Sequence, residues 1–299
     1  MVGLPVYIAT NNTTTSTDKI IVVMTDVFGW ELKNIRLLAD EYASNGFYVL
    51  VPDFFKGDPV PLELEAKLAP PSAPKRNFFT AVSDTFSAAT TVGPWLIRHR
   101  ESVSKPIVDS FFIGLRQQYP SSKIGAVGFC WGGRYAILLT HTDAKVQVDA
   151  AVAIHPSLLS IPSEIEKIAK PVSFAVGDKD QYMSVKQADQ TRLILSKKTN
   201  VDGEVEVYPG MVHGFGCRGD LTIEENKKGH DRAMKQTIDC APLQSCSCPV
   251  GMKQYSCKHS GGLAILFNLY QVSDKTRIQP LSKRKTKGRL KKVSKALNL

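Results

Sequence analysis

Apolar residues in this chain fall into short, nearly unbroken runs. Between them lie stretches where apolar positions recur every three or four residues. The runs at 5–9, 19–25, 47–52, 124–128, 148–154 and 171–176 are rich in Val, Ile and Ala, as expected of strands buried on both faces. The run at 204–208 alternates apolar and polar instead. Helical spacing covers 31–44, 82–99, 103–118, 132–141, 184–198 and 222–238. Alternation of the two patterns predicts an α/β fold, a mostly parallel sheet covered by helices on both faces. Residues 56–76, rich in Pro and charge, break the alternation and are expected to form an irregular loop beside the site. No internal repeat is present. A length of 299 residues allows one large domain or two smaller ones.

One turn carries chemistry. The run ending at Val127 leads into Gly128-Phe129-Cys130-Trp131-Gly132-Gly133, and helical spacing follows. A G-x-S-x-G sequence between strand and helix is a nucleophile elbow, and here cysteine stands at the nucleophile position. Glycines are needed because side chains beside so sharp a turn would collide. The N-terminus of the following helix favours thiolate over thiol. The competing explanation is a Gly-rich turn with an inert buried cysteine.

A cysteine nucleophile needs a base, and the base needs an orienting group. Downstream, the run 171–176 opens into Gly177-Asp178-Lys179-Asp180, and 204–208 opens into Pro209-Gly210-Met211-Val212-His213-Gly214-Phe215. The order Cys130, Asp178 or Asp180, His213 follows, each in a loop after a strand, where open α/β sheets place their sites. Taken singly, each aspartate could be ordinary turn chemistry and His213 a surface histidine. Their joint order is what argues for a site.

Gly-Phe-Cys-Trp-Gly-Gly, Gly-Asp-Lys-Asp and His-Gly-Phe together resemble the dienelactone hydrolase (carboxymethylenebutenolidase) family of α/β-hydrolases. Thr25-Asp26-Val27-Phe28-Gly29 and Val51-Pro52-Asp53-Phe54 fit the same family, and the resemblance covers roughly residues 3–239. It implies the α/β-hydrolase fold, with Cys130 as nucleophile, Asp180 as acid and His213 as base. It implies backbone oxyanion donors at Trp131 and near Val27, and no cofactor for catalysis. Asp26, with its shorter side chain, stands where the family's best-known members have a glutamate that contacts the resting thiol, and the resemblance places it with Arg218 among the substrate-binding residues. Arg218 matches the family's carboxylate-binding arginine at one residue's longer spacing, or else is an exposed loop charge. His155 could line the site or pack as a structural histidine. The expected substrates are small esters or lactones bearing a carboxylate.

Charge separates the end of the chain from the rest. The net charge is +10, but residues 240–299 hold 12 Lys or Arg against one acidic residue, Asp274. Four of the six cysteines also lie there. Cys246-x-Cys248 and Cys257-x-His259 present ligands fit for one tetrahedral zinc ion. This spacing resembles a SWIM-type zinc finger, with 262–270 as its helix. The expected division is a hydrolase-like domain over 1–239, a zinc-finger-like appendage over 240–272 that binds Zn, and a basic tail over 273–299. The tail's Lys/Arg cluster suits nucleic acid or nuclear import. The alternative function is therefore zinc-dependent nucleic-acid binding on a hydrolase scaffold. With no membrane-length apolar run and a thiol at its centre, the chain is expected to be intracellular: cytoplasmic, with nuclear entry through the tail.

Overall fold

A computed structural model of the chain describes residues 3–10, 16–65 and 90–240. Seven strands form one sheet: β1 (Val6–Ala9), β2 (Lys19–Met24), β3 (Tyr48–Pro52), β4 (Lys123–Phe129), β5 (Ala150–Ile154), β6 (Val172–Gly177) and β7 (Gly203–Tyr208). Their spatial order is β1-β3-β2-β4-β5-β6-β7. Every neighbouring pair is parallel except β1 with β3, where Val6 faces Pro52 and Ala9 faces Val49. The chain belongs to the α/β-hydrolase type of fold, as expected, with an antiparallel strand at one edge.

Alternation along each strand sorts its side chains into two cores. Ile20, Val22 and Met24 of β2 join Ile124 and Ala126 of β4 and Phe174 of β6 on one face. Ile21 and Val23 join Val127, Phe129, Val152 and Ala175 on the other. The first core is covered by residues 90–98 (α2), Glu101–Gln118 (α3), Trp131–Leu138 (α4), Ser163–Glu166 (α5) and Val185–Ser196 (α6). The second is covered by α1 (Lys33–Ser44) and α7 (Glu224–Asp239). Burial on both faces is why the central strands read as continuous apolar runs rather than alternating ones.

The expected helices fall within a few residues of the observed ones. The four-residue α5 was not expected, being too short to show a period. Within the expected loop 56–76, Leu62–Leu64 forms a 3-10 turn, and 66–76 lies outside the described residues. So does the first part of the helix expected at 82–99. The zinc candidates Cys246, Cys248, Cys257 and His259, the helix expected at 262–270 and the basic tail lie outside them as well. Among the described residues, no group of His, Cys, Asp and Glu is arranged to hold a metal ion, and no helix is long and apolar enough to cross a membrane.

Candidate active site

Asp26, Val27, Cys130, Trp131, His155, Asp180 and His213 sit in the segments that follow the carboxyl ends of parallel strands. Cys130 follows β4 and precedes α4 with φ 52° and ψ −112°. This left-handed backbone is costly for any residue but glycine, and it aims the side chain out of the turn. The neighbours must be glycine. A Cβ on Gly128 would lie 2.2 Å from the Gly132 carbonyl oxygen, and one on Gly132 would lie 2.1 Å from the Met24 carbonyl oxygen. The elbow is thus wedged between its own helix and the end of β2.

The loops after β6 and β7 are zipped together. The Asp178 N–H donates to Tyr208 O at 3.1 Å, and the Lys179 N–H to Met211 O at 3.0 Å. A Cβ on Gly177 would meet Met211 O at 2.3 Å, so only glycine permits this approach. The zip brings Asp180 to His213. The imidazole Nδ1 lies 2.9 Å from Asp180 Oδ2 and 3.1 Å from Oδ1. The Asp180 carboxylate also accepts the Tyr182 N–H at 2.7 Å and the Met183 N–H at 3.3 Å. Asp178 is exposed whereas Asp180 is buried, so the pairing with His213 falls to Asp180.

The other ring nitrogen of His213, Nε2, is buried without a hydrogen-bond partner. Burial pushes the imidazole pKa down, but the Cys130 thiolate and the Asp180 carboxylate more than reverse this and raise it to about 9. At Cys130 burial pushes the thiol up, yet the His213 and Arg218 charges prevail and hold it below the ordinary thiol value. The two groups thereby favour a thiolate–imidazolium pair.

A second buried cluster lies beside the first. The Asp26 carboxylate accepts the Phe28 N–H at 3.0 Å, and the Gly29 N–H donates to Asp26 O at 3.1 Å, which shapes the loop after β2. Val60 N–H donates to Val27 O at 2.8 Å and ties this loop to residues 53–60. Among the described residues, neither the Val27 N–H nor the Trp131 N–H has a hydrogen-bond acceptor. Arg218 Nε lies 2.9 Å from Asp26 Oδ2, with the two side chains 6% and 0% exposed. Its N–H is not directed at the oxygen, so the contact is an ion pair without a hydrogen bond. The guanidinium also stands 5.4 Å from the Phe28 ring centroid. Arg218 is therefore no exposed loop charge. Burial raises the Asp26 pKa against the opposing pull of Arg218.

Asp26 and the Cys130 thiol each have another neighbour. Asp26 receives the Cys217 thiol at 3.6 Å, while Cys130 Sγ sits 3.5 Å from Ser157 Oγ. His155 is fully buried, 3.7 Å from Cys217 Sγ and stacked edge-on to His213 at 5.0 Å. Burial, with the nearby His213 and Arg218 charges, holds its pKa well below the ordinary histidine value and favours the neutral imidazole. Tyr182 packs its ring 4.5 Å from His213. Ser157, Cys217 and Tyr182 were not singled out from the sequence. The only available signal was the position of Ser157 just past the end of β5.

The family model for the Dienelactone hydrolase family matches residues 4–241. The chain belongs to the dienelactone hydrolase family. It is an enzyme, a hydrolase of carboxylic esters of the dienelactone hydrolase type. The chain is 30% identical over 224 residues to "Hydrolase tropI" of Talaromyces stipitatus, covering 75% of this chain and 81% of that one. It is 29% identical over 235 residues to "Hydrolase pyvD" of Aspergillus violaceofuscus, covering 79% and 83%. A carboxymethylenebutenolidase homolog of Xenopus tropicalis shares 26% over 230 residues, covering 75% and 81%. Among solved structures, Thermogutta terrifontis esterase 2 superposes with a TM-score of 0.55 at 15% identity, covering 79% of this chain and 88% of that one, a likeness of fold alone. The family match ends at residue 241, and the described residues end at 240.

Proposed function

We propose that the protein hydrolyses small esters or lactones, of the kind that carry a carboxylate, through a Cys130 thiolate. The thiolate attacks the carbonyl carbon and forms a tetrahedral oxyanion. The Trp131 and Val27 N–H groups are the donors for that oxygen, a contribution of about 3–4 kcal/mol per donor in comparable sites. His213, protonated and held in one orientation by Asp180, gives its proton to the leaving oxygen. Water then attacks the thioester, with neutral His213 taking its proton, and the carboxylic acid leaves as Cys130 is released. No cofactor enters any step. The observation that carries this reading is the Asp180–His213 pair beside a cysteine held at φ 52° between a strand and a helix.

Arg218 would take the substrate carboxylate. Its guanidinium is already neutralised by Asp26, so a bound carboxylate has to displace or share that partner. Hydrolysis of an aryl ester and of a dienelactone is compared in the wild type and in Cys130→Ala. Equal rates in the two proteins would remove the thiolate mechanism.

A second reading concerns residues 240–299 and rests on the spacing Cys246-x-Cys248 and Cys257-x-His259 alone. Three thiolates and one imidazole make a closed zinc site, and the basic tail adds affinity for polyanions. Zinc content per full-length chain, before and after Cys246→Ser with Cys248→Ser, tests it. Equal zinc in both proteins would remove the finger.

A further inference from the structure

Residues 155–158 follow β5 and reach the nucleophile through Ser157, yet have no part in the mechanism above. Their backbone is unusual. His155 has φ 39° and Leu158 has φ 62°, flanking Pro156 and Ser157. Such conformations persist only where the surroundings dictate them. Here the surroundings are the elbow and the neighbouring strand. The His155 N–H donates to Ala175 O at 2.7 Å, and the Ser157 N–H to Cys130 O at 3.1 Å. A Cβ on Gly133 would lie 2.9 Å from Pro156 Cβ, so the loop and the start of α4 are in full contact. The Ser157 side chain completes the clamp, its Oγ 3.5 Å from Cys130 Sγ in a residue 5% exposed. Ser157 therefore grips the nucleophile twice, by its main-chain carbonyl and by its sulfur. Over the same site, His213 Nε2 has no hydrogen-bond partner.

We infer that Ser157 is a positioning residue that donates its hydroxyl hydrogen to the Cys130 thiolate and holds the sulfur in place until a carbonyl carbon arrives. This rests on Cys130 being the nucleophile. Either atom of the pair could donate when the sulfur carries a proton. Once the sulfur is a thiolate it can only accept, so the Ser157 hydrogen must point at it. A buried thiolate lacks water, and each donor it keeps stabilises the charged form. When the sulfur bonds to carbon it loses its charge, and the hydrogen bond weakens as the attack proceeds. Ser157 thus stabilises the resting enzyme and raises the thiolate fraction, while slightly reducing the nucleophilicity of each thiolate.

This two-sided effect separates positioning from simple packing. Alkylation of the Cys130 peptide by iodoacetamide is followed by mass spectrometry against pH in the full chain. Ester kcat/KM is measured over the same range. In Ser157→Ala the alkylation inflection is expected to rise by about one pH unit, a tenfold loss of thiolate below it. The alkaline plateau should stay within about twofold or rise, because a less stabilised thiolate attacks faster. Ser157→Thr and Ser157→Val differ only by hydroxyl against methyl. The Thr variant should keep the wild-type inflection and the Val variant should shift it, which preserves the test if the Ala variant folds poorly. An unchanged inflection in the Ala and Val variants, or a lowered plateau without a shift, would overturn the role of Ser157 and leave the thiolate mechanism standing. Full ester hydrolysis by Cys130→Ala would instead remove the mechanism on which the inference rests.

Discussion

Asp180 and Asp26 are both buried carboxylates facing a cation at one site, but they are held in different ways. Asp180 grows out of a tight turn. Two backbone N–H groups donate to its Oδ1, and both oxygens lie within reach of one imidazole nitrogen. Asp26 meets its cation from a distant part of the chain, and the Arg218 Nε–H is not aimed at it. Among the described residues its side chain's other hydrogen-bond partners are one N–H and one weakly donating thiol. The first arrangement fixes a direction, as a proton-transferring imidazole requires. The second balances charge without fixing a direction. It would suit the role proposed for Arg218, in which a substrate carboxylate displaces or shares Asp26. The two pairs should therefore fail differently when broken.

The largest effect is expected on rate, at the first pair. Asp180→Asn removes the charge and the tautomer control, and kcat/KM should fall by about three to four orders of magnitude. The loss should appear in kcat, with KM little changed, in steady-state hydrolysis of an aryl ester. Next comes stability, at the second pair. Asp26→Ala leaves a buried, unpaired guanidinium and should cost about 3–5 kcal/mol in urea denaturation. Arg218→Met should cost clearly less, because burial already pushes the Asp26 carboxyl upward and it can escape its charge by taking a proton. Equal costs for the two substitutions would mean that Asp26–Arg218 is an ordinary structural pair.

A smaller effect concerns pH. In the proposed mechanism the leaving oxygen takes its proton from His213, so kcat/KM should fall as pH rises through about 9, where the imidazolium is lost. On the acid side it should fall as the thiolate is protonated, at a pH below the ordinary thiol value. Asp180 helps to keep His213 protonated, so in Asp180→Asn the residual activity should lose its alkaline limb at lower pH. An alkaline limb that stays in place would show that Asp180 does not support the imidazolium. The smallest effect is expected at Asp178. Its side chain is exposed, and Asp178→Ala should change stability by less than about 0.5 kcal/mol. Its rate should stay near that of the wild type in the same ester assay.

The sequence carried the sheet well, because strands buried on both faces leave apolar runs that nothing else explains. It could not show that β1 runs antiparallel, since a run of apolar residues has no direction. It could not show α5, whose four residues complete one turn. The Cys130, Asp180 and His213 positions were legible because each lies in a loop after a strand and the elbow announces itself by its glycines. Choosing Asp180 over Asp178 needed the family resemblance, and the structure supplies the reason in burial and the distance to His213. The burial of Arg218 was not legible. Cys217 and its partner Asp26 lie 191 positions apart, and no local pattern marks such a pair. Ser157 escaped notice for a similar reason, since its contact with Cys130 comes from the packing of one loop on another turn.

The central claim is that the Cys130 sulfur becomes acylated. The most direct measurement mixes the enzyme with excess aryl ester, quenches in acid within one turnover and maps the adduct by peptide mass spectrometry. An acyl group on the peptide containing Cys130, formed with a burst of the phenol and absent in Cys130→Ala, is the expected result. A burst with the acyl group on another residue, or hydrolysis at full rate with no adduct and no dependence on Cys130, would contradict the account.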